Sequence, residues 1–538
     1  MAGETGIARF TGNNVSISES ANVDDKPSST EQDVGLASQT QTRRLFSFIQ
    51  LFAFSLTYMA VWEGMCTNMY FALYNGGPNV FIFSSIVVFF GAVAQAASLA
   101  EMASMQPIAG AQYHWTYHLA PGGVRRLATW IQGWLTWFGY ISLLAGIANV
   151  TIILLEATIQ LNHEDYTPGG WHTSVLVIAL CLLLGGINMF TFKLIPWVEL
   201  VAGVLHIALF VVFVLVLAVK GTRHNAEFVF LKSTTSSGWN DKFVSWNVGM
   251  LTCVWSFTSF DSAIHMAEET RKAKSAVPRA MFWSIFMNGI LAFIMVTVIL
   301  IAMGSVDDAL SASSPIVAIL LAVTGSKPAT TALTTGLFII SINCTLACIA
   351  SVSRLTWAWA RDGGLFKYFA YVSCPYLPVC RTLVDIFQIN PKHHVPIRAV
   401  ALTVFLISAL CLLNIGSTSY IAFGAITALS SMALYLSYAI AISSILYARW
   451  SCTSLKLGEW NLGLYGVYIN VFALIYTLYI IIFLPFPTTI PVTAGNMNYC
   501  GPVMAFVLGV AIALWLFRAK KHWAGPNLTI LEFVIAES

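Results

Sequence analysis

Hydrophobic residues in this chain fall into long runs, with none of the narrow apolar stripes of a soluble domain. A bilayer crossing needs about 20 predominantly apolar residues. Twelve segments fit, near 46–73, 80–103, 127–158, 173–192, 196–219, 246–268, 279–303, 330–359, 399–415, 419–448, 462–484 and 500–518. A shorter apolar piece at 315–323 reads as a re-entrant or interfacial helix. Two of the long runs are interrupted. In the sixth, Ser256, Thr258, Ser259 and Ser262 surround Asp261, and His265 and Glu268 follow. The first is broken at its centre by Ser55, Thr57, Trp62, Glu63, Gly64 and Thr67. A carboxylate at membrane depth costs roughly 2.5–3.5 kcal/mol on insertion scales. Clustered hydroxyls are what a backbone needs where it leaves the helical ladder inside a bilayer.

The interruptions recur five spans apart. Five is odd, so a second five-helix unit would enter the membrane upside down relative to the first. Paired interrupted spans in two inverted halves point to a transporter site at the midplane, where half-helix ends offer partial charges to a solute. Each residue alone has a plainer reading. Serine and threonine within a span commonly pack helices or bond their own backbone, and Glu63 or Asp261 alone can be a structural partner of a neighbouring helix. Joint interruption in spans 1 and 6 favours the site. His206, Glu156 and Glu199 stand alone or near span ends and read as structural. Trp134, Trp137 and Tyr140, at i, i+3 and i+6, share a helix face that either lines the site or packs the bundle.

Composition narrows the class. Of 538 residues, 57% are hydrophobic and 9% charged, against about 25% charged in soluble domains, so the chain is expected to be an all-α polytopic membrane protein. A net charge of +3 gives no reason to expect nucleic acid as a partner. Lysine and arginine set the orientation. Both termini and the even-numbered loops are cytoplasmic, which leaves Lys220, Arg223, Lys232, Lys242 and Lys327 on the other side. Residues 1–44 read as a disordered cytoplasmic tail without the apolar core of a signal peptide. Residues 45–220 form the first five-helix unit, 246–448 the second, 462–518 two further helices, and 519–538 a cytoplasmic tail. Ten cysteines show no metal spacing or disulfide framework, so no metal and no cofactor is expected.

The ordered motifs carry a resemblance. VWSFTSFDSAIHMAEETRKAKSAVPRAM from 254 resembles the sixth-helix signature of the amino acid–polyamine–organocation superfamily. NGGP at 75–78, AEMASMQPIAGAQYHW at 100–115, SRLTWAWARDGGLF at 353–366 and VPIRAV at 395–400 lie in the expected order. The Asp261–His265 pair with SLAEMASM and QYHW resembles the fungal amino acid/choline branch, which includes 4-aminobutyrate and choline permeases. The resemblance covers about residues 45–520. It implies twelve helices in a LeuT-like 5+5 inverted repeat, with helices 1 and 6 broken and two helices added. It also implies a plasma-membrane permease, often proton-coupled. By position, Trp255 resembles the aromatic gate over bound substrate, 256–261 the unwound part of helix 6 and 60–64 that of helix 1.

The expected substrate-binding residues are therefore Tyr58, Ala60, Val61, Trp62, Glu63, Gly64, Trp255, Ser256, Phe257, Thr258, Ser259 and Asp261. Tyr58, Trp62, Trp255 and Phe257 offer faces to an ammonium, a contact worth up to about 2 kcal/mol when desolvated. Glu63 and Asp261 are the proton-coupling candidates, since burial favours a carboxylate's neutral form. Glu63 departs from the family pattern, in which that position is small and backbone N–H groups grip a substrate carboxylate. Two like charges 4 Å apart repel by about 4 kcal/mol at an effective dielectric of 20. Either Glu63 is protonated during binding, or it points away, or the substrate presents a cation. The expected function is secondary transport of a small nitrogenous solute across a lipid bilayer, with an amino acid or 4-aminobutyrate ahead of choline or a polyamine. An enzyme would need a nucleophile or metal set that Asp261 and His265 lack. A non-transporting sensor would be expected to carry a longer cytoplasmic extension.

Overall fold

The computed structural model describes residues 44–370, 395–416, 419–451, 455–493, 496–527 and 532. The tail before Arg44, the loop carrying Arg381, Lys392 and the His393-His394 pair, and most of the chain after Asn527 lie outside the described residues. Within them the regular structure is helical, and ten helices are long and apolar enough to cross a membrane. The first and sixth apolar runs are absent from these ten because each is divided. Helix Phe48–Met59 is followed by Val61–Asn68, and helix Lys242–Ser256 by a tighter 3₁₀ helix, Ser262–Glu269.

Local chemistry accounts for the starts, stops and bends. Ser47 and Gln50 form a capping box that opens Phe48–Met59, satisfying N–H groups that have no intrahelical partner. Ala60 then takes a left-handed conformation, φ 40° and ψ 50°, and the ladder restarts. One turn of the NGGP block bends the long helix Tyr70–Met105. Pro78 cannot donate a backbone hydrogen bond, and Gly77 adopts φ 74°. A Cβ on Gly77 would lie 2.5 Å from the Thr234 hydroxyl, because the 232–236 loop bonds onto the bend through Thr234 N–H to Gly76 O, Ser236 N–H to Tyr74 O and Asn79 N–H to Lys232 O. Short helix Pro315–Thr324 occupies the 315–323 run.

Burial separates core from periphery. In helix Arg125–Asn162, 89% of the most apolar window is buried inside the protein, against 22% in Cys500–His522. The central helix packs on Ser419–Ser451 and Lys327–Arg361, while Ala273–Ala302 packs on Tyr70–Met105 and Phe48–Met59. Helix Ile195–Lys220 is two-faced. Glu199, Ala202, Gly203, His206, Phe210, Phe213 and Leu217 are buried, whereas Trp197, Val201, Val204 and Leu215 are exposed. That stripe, spaced three and four residues apart, directs both ionisable side chains into the protein. A parallel bridge between Phe46 and Thr270 ties the start of the first divided run to the end of the sixth.

Candidate functional site

The two interruptions meet. A Cβ on Gly64 would stand 3.3 Å from the Ser256 hydroxyl, so the restart of one helix lies against the end of the other. Ser259, inside the second interruption, has φ 76°, left-handed backbone that a serine rarely adopts. Between the breaks lies a cavity of about 40 Å³, lined by Tyr58, Met59, Ala60, Glu63, Gly64, Thr67, Trp255, Ser256, Thr258 and Ser259, with Leu143, Ile147 and Val150 opposite and Ser341 and Cys344 closing the wall. That volume has room for about three or four waters, at roughly 10–15 Å³ each. Eight of the twelve expected site residues line it.

The other four do not. Val61 donates its N–H to Asn288 Oδ1 at 3.4 Å. The Trp62 ring packs against Phe210, Phe213 and His206, and Phe257 packs against Phe89. Of the expected ammonium-facing aromatics, only Tyr58 and Trp255 reach the cavity. Trp134, Trp137 and Tyr140 also stay outside it. Trp137 donates to the Thr356 hydroxyl at 3.0 Å, and Tyr140 stands edge-on to His265. The lining face of that helix begins about one turn further on, at Leu143.

Glu63 reaches the cavity with one oxygen engaged. Its Oε1 lies 2.7 Å from His206 Nδ1. Glu63 Oε2 and His206 Nε2 are buried without hydrogen-bond partners. His206, taken from the sequence as structural, is therefore the direct partner of the candidate carboxylate. A signal was present: His206 and Glu199 lie seven residues apart, on one face of an otherwise apolar helix. Glu199 forms a separate polar contact, accepting from the Thr57 hydroxyl and Asn343 Nδ2, both at 2.8 Å.

Asp261 lies beyond the cavity, fully buried. One oxygen accepts from Gln112 Nε2 and the other from the Tyr438 hydroxyl at 2.6 Å. The rest of the sixth stretch is similarly tied. His265 Nδ1 is 2.7 Å from Ala109 O, Arg361 grips Glu268 through two 3.0 Å bonds, and Arg354 holds Glu269 at 3.0 Å. Next to them Asp362 accepts from Tyr113 at 2.7 Å and meets His114 at 2.8 Å. Burial pushes the Asp362 carboxyl up, but His114, the Arg361 guanidinium and the Tyr113 bond outweigh it and hold the group below the usual carboxylate range. The QYHW and SRLTWAWARDG blocks are thus the two sides of a polar closure over the 261–269 segment.

On the other side of Trp255 lies a larger cavity of about 320 Å³, lined by Phe71, Tyr74, Thr252, Thr427, Thr489 and Asn498 among others. Pockets that hold small molecules run about 300–1,000 Å³. Trp255 lines both cavities, and its ring meets Phe423 edge-on, 5.4 Å between centroids and 87° between planes. Phe423 in turn packs on Phe71. A single aromatic layer therefore divides the small inner cavity from the larger one.

Comparison with known proteins gives one family match and several relatives along nearly the whole chain. Residues 46–510 match the family model described as Amino acid permease. The chain is 27% identical to the Choline transporter of Saccharomyces cerevisiae over 491 residues, covering 90% of this chain and 83% of that protein. It is 27% identical to Amino-acid permease 2 of Neurospora crassa over 493 residues, 90% and 86% of the two chains. Amino-acid permease BAT1 of Arabidopsis thaliana is 24% identical over 514 residues, 92% and 96%.

Proposed function

Because the chain belongs to the amino acid permease family, we propose that this multi-pass membrane protein is a secondary active permease for a small nitrogenous solute, foremost an amino acid or 4-aminobutyrate. The observation that carries the reading is Trp255, an aromatic partition between a solute-sized cavity and a small one where two interrupted helices meet. Such breaks are natural hinges, and a solute held between them becomes accessible from alternate sides as one helix bundle rocks against the other. The divided runs 48–68 and 242–269 act as spans 1 and 6 of twelve, in a LeuT-like 5+5 inverted repeat followed by two helices. Both termini face the cytoplasm of a cell bounded by the plasma membrane that holds the protein, as the lysine and arginine bias supports. The protein moves its solute without transforming it, and the aqueous side of Trp255 that carries Thr489 and Asn498 faces outward.

Uptake is coupled to a proton carried by Glu63 or Asp261. Glu63 touches the inner cavity; Asp261 links the interruption to Gln112 and Tyr438 and reports the state of the closure. A second reading, transport of choline or another amine, is favoured by the unpartnered Glu63 oxygen at the cavity, which supplies a cation's counter-charge. The test is uptake of labelled 4-aminobutyrate, choline, and neutral and basic amino acids in a permease-deficient yeast, repeated with Glu63→Ser. A gain for zwitterions with loss of choline places the ammonium at Glu63. Substrate-dependent signalling without flux of any of these would replace transport by sensing.

A further inference from the structure

The Glu63–His206 contact has a property that neither residue has alone. Both side chains are at least nine-tenths buried, Glu63 at 2% exposure and His206 at 0%. Their 2.7 Å separation requires a proton between them, and each keeps one buried atom unbonded. Only Glu63 lines the cavity, so His206 acts on a solute through Glu63. Among the residues described around that cavity, Glu63 is the single carboxylate and no lysine, arginine or histidine joins it. The charge a solute meets is therefore the charge of the pair.

That charge has two values. With a neutral imidazole donating Nδ1–H to an ionised carboxylate, the pair is net negative. With one further proton, on the carboxyl or on the imidazole, it is neutral. The two states differ by one proton shared across a single short contact. We propose that His206 is a positioning residue that makes Glu63 half of a one-proton switch of solute class: the neutral pair accepts zwitterions, and the negative pair accepts cationic amines. The inference rests on the permease reading above. A cation that binds the neutral pair displaces the extra proton, one charge in for one out. A zwitterion binds with that proton retained, which removes the repulsion its carboxylate would otherwise meet at Glu63.

The surroundings contain few other titratable groups. Facing the pair are Cys66 on Val61–Asn68 and Cys344 on Lys327–Arg361, and Glu199 lies two turns away on the histidine's own helix. Of the α-helices packed against Val61–Asn68 and against the histidine's own helix, Phe48–Met59 brings only Tyr58, and Pro315–Thr324 brings none. Ala273–Ala302 carries Lys274 and Arg279 in its first turns, and Lys242–Ser256 carries Lys242 and Cys253. Among the described residues, no second carboxylate is hydrogen-bonded or ion-paired to Glu63 or His206.

The experiment uses the full-length protein in liposomes, at equal pH on both sides and without a membrane potential. It measures KM for labelled choline and for 4-aminobutyrate from about pH 4.5 to about pH 7.5, the interval that brackets carboxylate and imidazole titration. For the unaltered protein, the choline KM should climb toward acid relative to that of 4-aminobutyrate, by about tenfold per pH unit below the switch, the slope of one competing proton. His206→Gln keeps a donor for Oε1 but no exchangeable charge, and should displace or abolish the pH dependence of the choline to 4-aminobutyrate ratio. Glu63→Gln, which cannot carry the pair's negative charge, should lose choline uptake at every pH and weaken the pH dependence of the choline to 4-aminobutyrate ratio. A ratio indifferent to pH, or a His206→Gln profile that superimposes on the unaltered one while both solutes flow, overturns the inference alone. A His206→Gln protein with lower maximal rates but an unmoved ratio assigns the histidine a merely structural part and overturns it too. Should His206→Gln not assemble, a pH-dependent ratio surviving in Glu63→Gln does the same. No flux of either solute through correctly inserted protein overturns the permease reading along with it.

Discussion

At the scale of single residues, Trp255 and Ala60 do different kinds of work. Trp255 is buried to 7% exposure and separates the two cavities. Its replacement by alanine opens the partition and removes a ring face worth up to about 2 kcal/mol to a desolvated ammonium. Trp255→Ala is therefore expected to lower uptake at dilute solute by about tenfold to thirtyfold with normal surface expression, and Trp255→Phe to restore part of it. Unchanged uptake would remove Trp255 from the partition. Ala60 sits at φ 40°, where a β-branched residue is a steric outlier. Ala60→Val should lower both the thermal midpoint and uptake, whereas Ala60→Gly should support both. A Val variant as stable as the parent would mean the break tolerates other backbone. Glu63 was legible in the sequence because a carboxylate mid-span advertises its cost. Its partner was not, because 143 positions separate His206 from it and the period of one helix says nothing about the helix facing it.

Between elements, the sixth stretch is fastened by side chains from several others, and these ties decide what the interruption can do. Asp261 joins Gln112 and Tyr438 across sequence separations of 149 and 177. Asparagine there keeps one acceptor for Gln112 and lets Tyr438 accept, so the packing survives while the titratable charge is lost. Asp261→Asn should then abolish uphill uptake and leave solute exchange; intact uphill uptake would free Asp261 from coupling. The Arg354–Glu269 pair, with side chains 2% and 3% exposed, tests closure by a different route. Removing one partner leaves a buried charge unpaired, at a cost of about 3–5 kcal/mol. Arg354→Met should thus unfold in detergent at a markedly lower temperature, and adding Glu269→Gln should recover most of the loss. If the double variant is no better than the single, the two residues are not coupled. The hydroxyl-rich breaks themselves were visible as local polarity. The 3₁₀ geometry of Ser262–Glu269 was not, and the side chains that hold it come from distant parts of the chain.

For the whole molecule, helix positions and the two interruptions could be read from hydrophobic run length, because a bilayer leaves a chain little choice but helix. The way the C-terminal segment closes onto the bundle could not, since it depends on an indole reaching back 161 residues. Trp523 donates to Asp362 O at 2.7 Å and packs among Trp130, Trp359 and Trp515. Four residues later Asn527 donates its N–H to Asp362 Oδ1 at 3.2 Å, and Arg126 caps the segment by donating to Trp523 O. This strap fastens the same carboxylate that Tyr113 and His114 hold, so the C-terminal segment and the closure over 261–269 share an anchor. Trp523→Ala removes a buried indole, a loss of about 3–5 kcal/mol in a well-packed core, and should lower both the thermal midpoint and solute accumulation. Trp450→Ala, at a site 94% exposed, should change neither. The Asp362 carboxyl is held below its ordinary range, so the stability it contributes is fully present above that range and is lost only as pH falls through the lowered value. The gap between Trp523→Ala and the parent should therefore be the same at about pH 5.5 and about pH 7.5. A gap that closes at the lower pH would show that a group other than the Asp362 carboxyl fastens the strap. Equal midpoints at both values would show that the segment rests on the bundle without holding it.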